Sequence, residues 1–141
     1  MKQIYVPIKN RLKTQVQALR WIDLDTDQLG AATRPAIGLP AALINIDIND
    51  CQSLADELQL CKSSITVTLV FDNPGPTSAA TPENVVDLSL SPYDIIGDVH
   101  AALQGFETEL FEPLSRIRQG KVKNRHGLFQ YEMQYRTIFE D

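Results

Sequence analysis

The apolar residues that open the chain recur with the period of a helix. Ile4, Ile8, Leu12, Val16 and Leu19 fall four, four, four and three positions apart, which places them on one stripe of an amphipathic helix. Lys9, Arg11, Lys13, Gln15 and Gln17 take its polar face, and Pro7 belongs near its first turn. From Arg20 to Asp27 the period changes, and polar and apolar residues alternate as in a half-exposed strand. Gly30 to Pro35 and Gly38 to Pro40 read as loop. Ala41 to Ile48 resumes as a strand with Ile44, Ile46 and Ile48 on one side, whereas Asn49 to Gln59 fits a loop or a short helical turn equally well.

Ser64 to Phe71 is the clearest strand, with Ile65, Val67, Leu69 and Phe71 on one face and Thr66 and Thr68 on the other. Asp72-Asn73-Pro74-Gly75-Pro76 ends it, and the Pro-, Thr- and Ser-rich stretch up to Ser91 reads as a long connection, mobile or used for contact. Ser91-Pro92-Tyr93-Asp94 predicts a helix start with Ser91 as N-cap, Pro92 at the first helical position and an acid in the first turn. This helix runs to about Gln104 and buries Ile95, Ile96, Val99, Ala102, Leu103 and Phe106. Gly97 offers close approach to the sheet, and Gly105 a C-terminal cap. Leu114 to Lys123 and Leu128 to Phe139 predict two antiparallel strands around Asn124-Arg125-His126-Gly127. In the second, Phe129, Tyr131, Met133 and Tyr135 point inward and Gln130, Glu132, Gln134 and Arg136 outward.

The order α-β-β-β-α-β-β lacks the strict alternation of a parallel sheet. It predicts an α+β fold, with a mostly antiparallel sheet and two helices packed on one face, over residues 1–141 as one domain. At this length a fold removes roughly 68–70% of the unfolded chain's surface from water, so no disulfide or structural metal is required. The longest apolar runs, such as Pro40 to Ile44, fall far short of the roughly 20 residues that cross a bilayer. Polar residues interrupt the first nine positions, where a secretory signal would need an apolar core, so a cytoplasmic protein without membrane association is expected.

Candidate chemistry is sparse. Cys51 and Cys61 stand ten positions apart with no second pair, which fits neither a disulfide framework nor a zinc site, and both are read as reduced thiols. Asp23-Leu24-Asp25-Thr26-Asp27 begins like a calcium loop, but Gln28 stands where the turn needs glycine and Arg34 where a bidentate glutamate belongs. His100 and His126 have no metal-ligand spacing, no Gly-x-Ser-x-Gly elbow occurs, and phosphate-binding glycine loops are missing. No catalytic residue, cofactor or metal is therefore expected. Thirteen basic against eighteen acidic residues give a net charge of −5, which opposes nucleic acid. The one concentrated charge feature is Arg116, Arg118, Lys121, Lys123 and Arg125, with no acid from Pro113 through Tyr131. On a strand pair these residues crowd the turn end of a hairpin, as a solvated edge or as a contact for an acidic protein or a phosphate backbone.

The helix ending in Val16-Gln17-Ala18-Leu19, the Pro-containing loop leading into Ala41 to Ile46, the strand Ile65 to Phe71, the helix Tyr93 to Leu103 and the closing hairpin together resemble phage tail-terminator or tail-completion proteins. That resemblance spans nearly the whole chain. It implies a non-enzymatic phage or prophage structural protein that caps the tail tube as a ring, commonly a hexamer, and joins tail to head or neck. Its partners would be further copies of itself, the tail tube protein and a head–tail connector or neck protein. It would be made in a bacterial cytoplasm and carried in the virion tail. Candidate contact surfaces are the basic hairpin, the loop from Asp72 to Leu90 and the acidic residues Asp23, Asp25 and Asp27. A small binding or regulatory module using the basic hairpin, for nucleic acid or an acidic protein, and a small enzyme centred on His100 or a cysteine remain as alternatives.

Overall fold

The segment with the strongest period-two alternation lies at the centre of the molecule. In the computed structural model, which describes residues 1–141, the elements follow as α1 (Lys2–Gln15), β1 (Trp21–Leu24), β2 (Ala41–Ser53), β3 (Gln59–Phe71), α2 (Glu83–Ser89), α3 (Ser91–Leu103), β4 (Ser115–Val122) and β5 (Phe129–Glu140), with a short 3-10 turn at Gln28–Gly30. The five strands form one sheet in the order β1-β2-β3-β5-β4, so β3 is the middle strand. Only the β1–β2 pair is parallel; the other three are antiparallel. The fold is α+β, as the pattern predicts.

Registered partners share a face of the sheet, and the register separates the two faces cleanly. Ala42, Ile44 and Ile46 of β2 stand beside Leu69, Val67 and Ile65 of β3, which stand beside Tyr131, Met133 and Tyr135 of β5. Against this face pack Ile4, Ile8 and Leu12 of α1 and Ile96, Val99, Ala102 and Leu103 of α3, all in one buried cluster. The opposite face carries Asn45, Thr66, Gln134 and Glu132 across its middle, with Leu43 and Thr68 buried beside them. At one end of it a small satellite core joins Ala41, Val70 and Leu128 to Leu29, Ile37 and Leu39 from the loop before β2.

Several boundaries differ from expectation. Helix α1 stops at Gln15, and Val16 leaves helical geometry at φ −125, yet Val16 and Leu19 are still buried. The chain turns there through Leu19 N–H to Val16 O, so that Arg20 N–H can reach Pro40 O and begin the parallel pairing. Pro7 lies inside the helix, beyond its first turn. Strand β1 ends at Leu24 because Asp25 and Gln28 bind the local backbone: Asp27 N–H donates to Asp25 Oδ1, Thr26 N–H to Gln28 Oε1, and Gln28 Nε2 to Leu24 O. Asn49 to Gln59 is neither free loop nor helix. It holds the ends of β2 and β3, a hairpin arm that turns at Leu54–Leu58 with Asp56 at φ 55. The long connection before Ser91 contains α2, so the order becomes α-β-β-β-α-α-β-β.

Leu90 caps both α2 and α3, which makes Ser91 the first helical residue rather than the N-cap. A Cβ on Gly97 would meet nothing within 4 Å, so this glycine permits no close approach. Gly105, at φ 77 just beyond the Gln104 cap, does end α3 in the left-handed conformation that glycine adopts without strain. Arg11, on the expected polar face of α1, spans the helix pair: its Nε donates to Ala102 O at 3.0 Å and its guanidinium lies 5.0 Å from the Phe106 ring centroid. A last-turn carbonyl of α3 without an intrahelical partner is thereby satisfied.

The β2 stripe runs out of the core along the arm, from Ile44 at 0% exposure to Ile48 at 40%. Ile44→Ala is expected to lower unfolding free energy by about 2–5 kcal/mol, and Ile48→Ala by about 0.5 kcal/mol or less. Urea titrations of the two variants, with unchanged slopes, check the contrast.

Candidate functional site

The basic residues do occupy a hairpin edge, but they do not share one face. Strand β4 is an outermost strand, paired with β5 alone. A register shift between Arg116 and Arg118 sets Arg116 beside Tyr135 and Lys121 beside Tyr131 on the helix-covered face. Arg118 falls beside Gln134 on the polar face, with its guanidinium 3.8 Å from Glu132. The change of side along β4 therefore comes from a bulge at Ile117. Lys123 follows β4, while Arg125, in the turn, donates to Gly30 O at 2.9 Å and is tied to the loop before β2.

The acidic segment occupies the other outer edge. Asp23 lies in β1, and Asp25 and Asp27 in the turn that closes it, Asp27 at φ 63. Asp25 Oδ1 is engaged by Asp27 N–H, and Asp25 N–H continues the sheet by donating to Ile44 O. Four strand spacings separate β1 from β4, roughly 19 Å at about 4.8 Å each. That exceeds the Debye length of about 8 Å at physiological salt. The carboxylates at β1 and the cations within β4 are therefore largely screened from each other within one copy, although Glu132 partners Arg118 and Arg125 in the turn reaches the loop that follows Asp27.

One further surface escapes sequence reasoning, and the loop from Asp72 to Leu90, expected as a contact, helps to form a second groove. A groove of about 550 Å³ where the arm meets the segment before β4 is lined by Leu58, Leu60 and Ile138 together with Glu107, Glu109 and Glu112. The loop from Asp72 to Leu90 and the start of α3 enclose a groove of about 430 Å³, lined by Phe71, Pro74, Val85, Leu88 and Ile95. Leu88 there is 75% exposed. Each groove joins segments distant in sequence, so no local pattern announces it. Gly75 packs so closely that a Cβ would lie 2.7 Å from Ser89 Oγ.

His100 and the cysteines are built into the framework. His100 Nδ1 lies 3.0 Å from Tyr135 Oη and the rings stack at 6.1 Å. Burial, reinforced by the Arg116 charge, lowers the His100 pKa. Burial pushes the Tyr135 phenol up to about 12, with Arg116 acting in the opposite sense. Both groups are thus held neutral around pH 7. Cys51 is exposed and Cys61 buried, both as free thiols, on directly opposed positions of the arm. Their positions are symmetric about Asp56, a signal visible only once Asn49 to Gln59 is read as a hairpin.

No protein-family model matches this chain, and no curated protein matches it either.

A lowered His100 pKa means that the unfolded chain binds more protons than the folded one once the pH falls below about 6.5. The stability contribution is complete above that pH and is lost as the pH falls through the folded-state value. Urea unfolding from about pH 7.5 down to about pH 5 is expected to show a steeper loss for the native chain than for His100→Gln. Because Arg116 acts across partly solvated space, added salt is expected to narrow the difference without abolishing it.

Proposed function

We propose that the protein is a non-enzymatic structural subunit of a phage or prophage tail, which caps the tail tube as a ring of identical copies and helps join the tail to the head or neck. The observation that carries this reading is opposite charge on opposite edges of one sheet: Asp23, Asp25 and Asp27 at β1, and Arg116, Arg118, Lys121 and Lys123 at or just beyond β4. A ring built head to tail needs two different, complementary patches on each copy rather than one self-complementary patch. Charged edges also steer such patches into register and discourage same-edge pairing. The resemblance of the whole element pattern to tail-terminator proteins supplies the biological setting. Hexameric closure, a tail tube protein and a connector or neck protein as partners, and assembly in a bacterial cytoplasm belong to the same reading. No helix is long and apolar enough to cross a membrane.

Light scattering over a protein concentration series is expected to show a closed oligomer at about 0.05 M salt that dissociates as salt rises to about 0.5 M. Reversing Arg116, Arg118, Lys121 and Lys123 together to Glu leaves like charge on both edges and is expected to yield monomer. Asp23→Lys with Asp27→Lys, which keeps Asp25 and its bond to the turn, does the same from the other side. Mixing the two variants restores opposite charge at every junction and is expected to restore the oligomer. A monomer under every condition, or self-association indifferent to both reversals, counts against the ring. Nucleic-acid binding that weakens steeply with salt would transfer the basic edge to the binding-module alternative.

A further inference from the structure

The arm holds a pair of side chains that the proposed contacts leave unused. Ile48 pairs with Ser63 and Asp50 with Lys62, so Asn49 is an extra residue in β2 and the side-chain alternation reverses beyond it. Without that bulge Cys51 would stand beside Leu60; with it, Cys51 stands beside Cys61 on the helix side of the sheet. Ser64 Oγ donates to Asn49 Oδ1 at 3.3 Å and Ser63 Oγ to Asp47 O at 2.8 Å, bonds that hold the bulged segment to β3.

The geometry at the pair suits a covalent bond. Gln59 exchanges both backbone hydrogen bonds with Asp141, so by alternation Cys61 also directs its backbone groups to β5 and meets Cys51 as a non-hydrogen-bonded pair. Such pairs hold their Cα atoms about 4.5 Å apart, inside the range of about 4.4–6.8 Å that disulfides span. The two Sγ atoms are 2.9 Å apart. Access is unequal: Cys51 is exposed, and Cys61 is 1% exposed beside Phe139.

We propose that Cys51 and Cys61 form a dithiol site for low-molecular-weight disulfides of the glutathione type, which convert it to a cross-strand disulfide pinning the arm. The Cys51 thiol loses its proton to solvent, and the thiolate attacks one sulfur of the small disulfide. That S–S bond breaks, a mixed disulfide forms at Cys51, and the first small thiol leaves and is protonated. Cys61 then gives its proton to solvent and attacks Cys51 Sγ, expelling the second small thiol. The protein dithiol is oxidised by two electrons, and the small disulfide is reduced to two thiols. The order follows from access and acidity. The hydrogen bond with Cys51, burial, and the negative charge of Cys51, Asp141 and Asp50 push the Cys61 thiol up to about 11. Cys61 therefore waits as the resolving thiol, already in contact with its target.

The test incubates the full chain with oxidised glutathione and follows intact mass. The expected product is a monomer lighter by two hydrogens, with a Cys51–Cys61 crosslinked peptide in its digest. Amide exchange around the arm turn is expected to slow by about tenfold or more. The Cys61→Ser variant is expected to stop at a stable glutathionyl adduct on Cys51, and folded Cys51→Ser to react at least about tenfold more slowly than the native chain. A native chain that retains the glutathionyl group on Cys51, or links to a second copy through it, overturns the proposal. So does a Cys51→Ser variant that reacts as fast as the native chain.

Discussion

Strand β3 satisfies its backbone on both sides at once, and the rest of the fold is arranged around that requirement. Its Ile65, Val67, Leu69 and Phe71 present a continuous apolar row that no single neighbour can cover. Strands β2 and β5 extend the row sideways, and α1 and α3 close it from above. Arg11 ties one of these helices to the end of the other, so the lid over the sheet is itself braced. The opposite face needs no second layer across its middle, because β2, β3, β5 and β4 alternate there to Asn45, Thr66, Gln134 and Arg118.

Much of this was legible in the sequence wherever burial imposes a period. The α1 stripe, the alternation of β3 and β5, the buried face of α3 and the closing hairpin all follow from residues whose two faces meet different environments. The failures fall where that contrast vanishes. On the arm both faces of β2 lie open beyond Ile46, so Asn49 to Ser53 carries no alternation and its bulge leaves no mark. Helix α2 is short, and Ser89 is its only buried residue, so no apolar stripe announced it. Val16 and Leu19 show the converse: their burial was readable, but the end of their helix was set by where β1 must begin.

The charged residues divide in the same way. Their identity and clustering were plain, and so was their place on a hairpin edge. Their facing was not, because one extra residue near Ile117 decides which side of the sheet Arg118 occupies. Sheet order was equally hidden: nothing local in Asp23 or Lys121 indicates that three strands stand between β1 and β4. The contact reading depends on that order more than on any single side chain.

The strand order also bears on how the chain comes to fold. Strand β5, last of the five in sequence, lies between β3 and β4, which precede it. Until β5 emerges from the ribosome, β3 offers an apolar edge with open amides and carbonyls, and β4 has no partner at all. From the completion of β3 until β5 is made, the nascent chain thus carries an unprotected sticky edge. Completion of the sheet joins residues far apart along the chain, a topology that favours slow folding.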